Sequence, residues 1–266
     1  MGVSLTVLAS GSRGNTALVC STRTRVLVDA GISCRETFKR LKAVGEDPHQ
    51  LSAIVITHEH SDHVAGLAVL ARKLNIPIFM TGPTHHAWAR AERDANGELP
   101  PVAKLEIFNP GRRFQIGDIE VTPFTIPHDA ADPVGFTFRT EGAKLAVATD
   151  LGYLPPNVCD HLRGCDVLVL ESNHDVEMLR VGPYPWSVKQ RVMSRVGHLS
   201  NHALADFFRA DYDGSASYIV LAHISEQNNH PELARGAAMS ALGPRQTLLR
   251  NRVILAAQSE AVQVQL

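Results

Sequence analysis

The segment Thr57-His58-Glu59-His60-Ser61-Asp62-His63 places three histidines and one aspartate within six residues. Nitrogen and oxygen donors at that density suit a divalent cation such as Zn²⁺, Mn²⁺ or Fe. The spacing has a geometric reason. A turn leaving a strand points alternate side chains the same way, so His58 and His60 reach one ion. A helix then begins, and Asp62 and His63 reach a second ion nearby. Three further candidates stand at the ends of apolar runs: His128 after Val121–Ile126, Asp150 after Leu145–Ala148, and His223 after Tyr218–Leu221. Strand ends are where layered α/β proteins carry their chemistry. A lone histidine in such a place is more often structural, but these seven donors together complete two metal shells.

The elements that must hold these donors follow from hydrophobic periodicity. Strands are expected at Leu5–Leu8, Ala17–Cys20, Val26–Asp29 and Ile54–Ile56, the last leading straight into His58. Ser33 caps a helix predicted to run through Ala43. Val64, Leu67, Ala68, Leu70, Ala71 and Leu74 recur at helical spacing, Ile76–Phe79 reads as a strand, and Pro83 opens a helix reaching Arg93. Asp94–Pro101, with Asn96-Gly97 and Pro100-Pro101, reads as a loop between two halves of one domain. Strands follow at Leu105–Phe108, Ile119–Phe124, Gly135–Arg139, Leu145–Ala148, Val167–Leu170, Ile219–Leu221, Val253–Ala256 and Val262–Val264, with helices among the later ones. The pattern predicts a layered α/β architecture in a single domain spanning residues 1–266.

A net charge of −1 over 266 residues excludes broad electrostatic capture of nucleic acid, so any such binding must be local or through metal. No apolar run is long enough to cross a bilayer, and the amino-terminal segment lacks the layout of a signal peptide. The four cysteines (Cys20, Cys34, Cys159, Cys165) form no CxxC pair and are expected as reduced thiols in a cytoplasmic protein. Nothing in the sequence specifies an oligomeric state.

The HxHxDH segment with His128, Asp150 and His223 resembles the metallo-β-lactamase superfamily over nearly the whole chain. The resemblance implies the family's αββα four-layer sandwich, two β-sheets flanked by helices, and two divalent ions (Zn²⁺ or Mn²⁺). It pairs His58 and His60 with His128 at one ion, pairs Asp62, His63 and His223 at the other, and makes Asp150 the bridge. An acid at that bridging position is similar to the phosphodiesterase and thioester-hydrolase branches. Five further segments narrow the match: Ser10-Gly11-Ser12-Arg13-Gly14-Asn15, Pro127–Phe136, Glu171-Ser172-Asn173-His174-Asp175, Gly197-His198-Leu199-Ser200-Asn201, and Leu221–Ser225 followed by Asn228-Asn229. They resemble the YycJ/WalJ-type group, compact relatives of tRNase Z regarded as 5′ to 3′ DNA exonucleases. The resemblance thus implies a nucleic-acid partner, DNA in the first place, and hydrolysis of phosphodiesters. In that chemistry, water at a dinuclear centre loses its proton near neutral pH, Asp62 and Asp150 flank the nucleophile, and His198 held by Glu171 protonates the leaving group. The competing reading is a small-molecule ester, lactone, thioester or cyclic-phosphodiester hydrolase with the same centre.

Three groups of residues are candidate substrate contacts. Backbone N–H groups of the Ser10–Asn15 loop can form an anion-binding concavity with Ser12, Arg13 and Asn15, although its glycines serve a tight turn equally well. His174 and Asp175 line either the site mouth or ordinary surface. Lys189, Arg191 and Arg195 fall in an acid-free stretch beside Trp186, and Arg191 and Arg195, four apart, are expected on one helix face that tracks a phosphate backbone.

Overall fold

The structure, a computed structural model, describes residues 2–92, 104–243 and 251–266. Its first sheet comprises β1 (Ser4–Ala9), β2 (Thr16–Cys20), β3 (Arg25–Val28), β4 (Ala53–Val55), β5 (Ile78–Thr81) and β6 (Leu105–Phe108). The second comprises β7 (Phe114–Ile116), β8 (Ile119–Thr125), β9 (Val134–Thr140), β10 (Ala143–Ala148), β11 (Val167–Glu171), β12 (Tyr218–Ala222) and β13 (Arg252–Leu255). The chain then crosses back, and β14 (Val262–Gln265) joins the first sheet, giving the orders β14-β1-β2-β3-β4-β5-β6 and β13-β12-β11-β10-β9-β8-β7. The helices are α1 (Cys34–Ala43), α2 (Ser61–Val64), α3 (Leu67–Leu74), α4 (Gly82–Ala91), α5 (Pro156–Leu162), α6 (Val176–Val181), α7 (Trp186–Val192), α8 (Asn201–Ala210) and α9 (Pro231–Leu242).

The layering follows from strands that are apolar on both faces. In β1, Leu5 and Val7 face the other sheet while Leu8 faces helices; in β11, Val167 and Val169 face inward while Leu168 and Leu170 face outward. Three apolar layers result. One lies between the sheets, one joins the first sheet to α1, α3 and Trp88 of α4, and one joins the second sheet to α5, α8 and α9. This is the expected αββα sandwich of the metallo-β-lactamase fold, and Ser33 caps α1 as anticipated, its side chain accepting from Glu36 N.

Three details differ from expectation. The helix through Val64–Leu74 is split into α2 and α3 around Gly66, where a Cβ would collide with the Ile32 carbonyl oxygen. The three-residue strand β7 is too short to leave a periodic trace. The ladder starts at Ile78 rather than Ile76. The Asp94–Pro101 loop, and Arg93 at the end of the predicted helix, lie outside the described residues. The four cysteines are buried and unpaired, and no helix among the described residues is long and apolar enough to cross a membrane.

Candidate metal and catalytic centre

Topology brings the candidate residues to one end of the sandwich. Strands β10, β11 and β12 run parallel with Leu145, Val167 and Tyr218 in register, so Asp150, Glu171 and His223 leave the same edge. His128 follows β8, which is antiparallel to β9 and therefore runs in the sense of β10. In the first sheet β3 and β4 run parallel and deliver Asp29 and His58. Ser10 Oγ accepts from His223 N at 2.7 Å and Val134 N donates to Thr57 O at 3.0 Å, joining the two edges.

Two donor clusters hold the seven candidates, and a third, of Asp150, Glu171, His198 and His223, overlaps the second. His58, His60 and His128 bring their ring nitrogens together, with His60 Nδ1 3.2 Å from His128 Nε2. Asp62, His63, Asp150 and His223 form the second, and within each cluster the donor atoms lie within 4.8 Å of one another. Asp150 Oδ2 sits 3.2 Å from His63 Nε2 while Oδ1 sits 3.4 Å from His223 Nδ1. Donor atoms about 2.1 Å from one ion stand at most about 4.2 Å apart, so a small inward adjustment suffices for both clusters. A more direct mark of fit lies in His58 Nε2, Asp150 Oδ2 and His223 Nε2. All three are buried without a hydrogen-bond partner. Unpaired buried polar atoms are costly, and a cation between the donors would satisfy all three.

The opposite ring edges are held, which fixes the tautomers. His63 Nδ1 donates to Asp29 Oδ2 at 2.8 Å, His58 Nδ1 to Thr57 Oγ1 at 3.0 Å, and His128 Nδ1 to the Gly197 carbonyl at 3.3 Å. His223 Nδ1 donates to Glu171 Oε1 at 2.9 Å. Asp29 also accepts from Thr57 N at 2.8 Å and from Thr57 Oγ1. Sequence reasoning passed over Asp29, reading it as the last residue of a strand. The rule that singled out Asp150, a carboxylate just past a strand, would have found it. Asp29, Asp150 and His223 all have left-handed backbone, with φ of 60°, 59° and 53°. Such conformations strain non-glycine residues and cluster at functional sites.

Glu171 and His198 stand beside the second cluster. His198 Nδ1 donates to Glu171 Oε1 at 2.8 Å, and Glu171 Oε2 accepts from Leu151 N and Leu199 N at 2.9 and 3.2 Å. Burial opposes a charge on Glu171, but His198 and His223 outweigh it and hold the carboxyl at about 2. Burial likewise lowers His198, and Glu171 more than reverses it, so His198 lies above the ordinary imidazole value. The pair is built to keep a proton on a partly exposed imidazole whose Nε2 is the nitrogen left for a substrate.

The expected substrate contacts fare unevenly. Ser12 and Arg13 are exposed at the site edge, where Arg13 pairs with Glu226. Asn15 is buried and points inward, its Nδ2 3.1 Å from both Asp62 Oδ2 and His63 Nε2 and its Oδ1 accepting from Gly11 N. It orients two donors rather than a phosphate. His174 lines neither a mouth nor a surface: it is buried, which pushes its imidazole down to about 4. The basic helix face is also corrected. α7 ends at Val192, Lys189 is buried with Nζ donating to Arg180 O at 2.8 Å, and Arg195 lies beyond the helix, 4.4 Å from the Tyr153 ring centre. Arg191 is exposed and pairs with Asp129, the neighbour of His128.

A fold of two facing sheets with this donor set at one end defines a class, and the chain belongs to the metallo-β-lactamase superfamily: residues 24–224 match the family described as the Beta-lactamase superfamily domain. It is 42% identical to exodeoxyribonuclease YycJ of Bacillus anthracis over 235 residues, 88% of this chain and 87% of that protein. To exodeoxyribonuclease WalJ of Streptococcus pneumoniae it is 36% identical over 234 residues, 88% of this chain and 86% of that one. These similarities match the YycJ/WalJ group. Among solved structures, the metallo-β-lactamase fold protein YhfI of Bacillus subtilis aligns with a TM-score of 0.71 at 16% identity, covering 98% of this chain and 100% of that one. That likeness is one of fold.

Proposed function

We propose that the chain is a metal-dependent exodeoxyribonuclease that hydrolyses phosphodiester bonds of DNA from a 5′ end. The observation that carries the reading is a cluster of three imidazoles beside a second cluster that contains Asp150, with the Glu171–His198 couple against that same carboxylate. The names borne by the relatives similar over most of the chain favour DNA over other diesters.

His58, His60 and His128 would hold one divalent ion, Asp62, His63 and His223 a second, and Asp150 would face both. Zinc and manganese both suit such mixed imidazole–carboxylate sets. When bound, such a pair supplies an activated water and positive charge for the non-bridging phosphate oxygens. The chain's own residues do the rest. Asp29, Thr57 and Asn15 orient the donors. Glu171 fixes the His198 ring through Nδ1, so that Nε2–H meets the leaving oxygen and transfers its proton as the P–O bond breaks. Ser12 and Arg13 meet the phosphate next along the strand, with Arg13 exchanging Glu226 for a phosphate oxygen.

Metal-loaded protein incubated with end-labelled duplex DNA, single-stranded DNA, RNA and bis(p-nitrophenyl) phosphate tests this. Stepwise release of nucleotides from the 5′ end of DNA is expected. Hydrolysis of the aryl diester with no cleavage of any polynucleotide would replace the reading by that of a small-diester hydrolase.

A further inference from the structure

The loop that follows Glu171 and the loops that carry His198 and His223 are sewn together by buried side-chain amides, which have no part in the chemistry above. Ser172 Oγ donates to Asn201 Oδ1 at 2.7 Å, and Asn201 Nδ2 donates to Asn229 Oδ1 at 2.8 Å. Asn229 Nδ2 lies within donating distance of Asn201 Oδ1, Ser172 O and Asn173 O, at 2.9, 2.9 and 3.1 Å. Asn173 Nδ2 in turn donates to the His223 carbonyl at 2.9 Å. Ser172, Asn173, Asn201 and Asn229 are all buried.

We propose that the Asn201–Asn229 amide pair is a clasp that sets the register of the His198 loop against Glu171, and so positions the proton donor for the leaving group. The inference rests on the reading of His198 as that donor. The loops run past the ends of β11 and β12, where no full ladder aligns them. Their backbone links are Ser172 N to Ala222 O at 3.0 Å, Asn173 N to Leu199 O at 2.8 Å, Asn201 N to His174 O at 2.9 Å, Asp175 N to Asn228 O at 2.9 Å and Ser225 N to Asn173 O at 2.8 Å. Such links are interchangeable, because one peptide group can replace the next. A slip of one residue along an extended segment moves a side chain by about 3.3 Å, enough to part His198 Nδ1 from Glu171 Oε1, now 2.8 Å away. A side-chain amide distinguishes its donor end from its acceptor end, so the clasp closes in one register only. Buried and desolvated, it makes any other register leave unpaired amide groups. Asn201 and Asn229 touch no reacting atom; they are positioning residues.

The test compares Asn201→Ala, Asn229→Ala and the double variant with the parent and with His198→Ala, each metal-loaded, on end-labelled duplex DNA and on bis(p-nitrophenyl) phosphate. The aryl diester releases a nitrophenolate that needs no proton. Loss of an outer partner of a working residue typically costs 10–100-fold, so kcat on DNA should fall by about 10–100-fold with the aryl diester changing by no more than about threefold. Metal per chain should stay at the parent value, and the double variant should lose less than the product of the two single losses, since the two substitutions break a shared link. Equal losses on both substrates, losses that follow metal release, or no loss on DNA would each overturn the clasp. Should the alanine variants fail to fold, Ser172→Ala, which removes one hydroxyl donor, must show the same split in weaker form, and its absence counts against the proposal. If His198→Ala itself shows no split, the proton-donor reading has failed. The clasp is then judged by a crystal structure of Asn201→Ala or Ser172→Ala, where a His198–Glu171 contact still at the parent distance overturns it.

Discussion

Asp29 shows how a residue that no ion would touch can decide whether an ion binds. Its Oδ1 accepts from Thr57 N and Oγ1, and its Oδ2 accepts from His63 Nδ1 and also lies within reach of the Thr57 hydroxyl. Asp29→Asn keeps the shape, and asparagine tolerates the left-handed φ of 60° at this position. The amide oxygen can still accept from Thr57, which preserves the Thr57–His58 contact. The amide nitrogen must then stand where Oδ2 stood, donor facing donor across 2.8 Å. His63 escapes by moving its proton to Nε2, the nitrogen that faces Asp62 and Asp150. A charge-assisted hydrogen bond is worth about 1.5–3 kcal/mol, and each 1.4 kcal/mol is tenfold in affinity. The loss should therefore be about 10–100-fold, and confined to the ion held by Asp62, His63 and His223. Chelator-competition titration of the two ions measures it. The expected curve shows one ion released at about 10–100-fold higher free metal than in the parent protein and the other unchanged. Two unshifted steps, or a shift of the ion at His58, His60 and His128 alone, would refute the argument that Asp29 acts by fixing the His63 tautomer.

Other perturbations have equally definite outcomes. If Asp150 bridges as proposed, Asp150→Ala should lower elemental-analysis values from about two ions per chain toward none, because a bridge serves both ions; a stoichiometry still near two would remove Asp150 from the bridging position. His198→Ala should slow cleavage of DNA by about 10²–10⁴-fold while sparing bis(p-nitrophenyl) phosphate, read as paired turnover rates. Gly31→Ala should lower the melting temperature by the equivalent of about 1–3 kcal/mol or more, since a Cβ there would collide with the Asp62 carbonyl oxygen; an unchanged melting curve contradicts that packing. Binding of duplex DNA to the Asp150→Ala variant should weaken with salt on a log–log slope of roughly −2 to −4, given about −0.9 per phosphate contact and the exposed Arg13, Arg191 and Arg195 as the contacts. Adding Arg191→Ala should flatten the slope by about 0.9, measured by fluorescence anisotropy.

Much of this centre was legible because its signals are local. Four donors crowd into His58–His63, and the other three stand directly after apolar strands. Layering was legible too, since strands such as β11 are apolar on both faces and demand cover on both. What escaped is non-local. Asp29 acquires its role from His63, 34 positions on, and Asn201 from Asn229, 28 positions on. Neither partner can be named before the fold is known. The basic face misled for a different reason. Residues four apart share a helix face only while the helix lasts, and this one ends three residues before Arg195, where Gly197 lies too close to the Arg191 and Val192 carbonyls to accept a side chain. His174 misled because a polar residue near a cleft is indistinguishable by sequence from one whose ring is packed beneath it.

The return of the chain from β13 to β14 has a consequence for the order of synthesis. β14 pairs with β1, and Gln258, on the way to it, accepts from Arg13 N and donates to the Gly14 carbonyl. A ribosome thus delivers the HxHxDH segment early, yet the loop beside it and the edge of its sheet stay unfinished until residues made some 200 positions later emerge. His223 is equally late. A nascent chain therefore carries an incomplete centre through most of its translation. A stop codon in place of Leu255 should leave every donor in place and still unfasten the sheet that carries four of the seven.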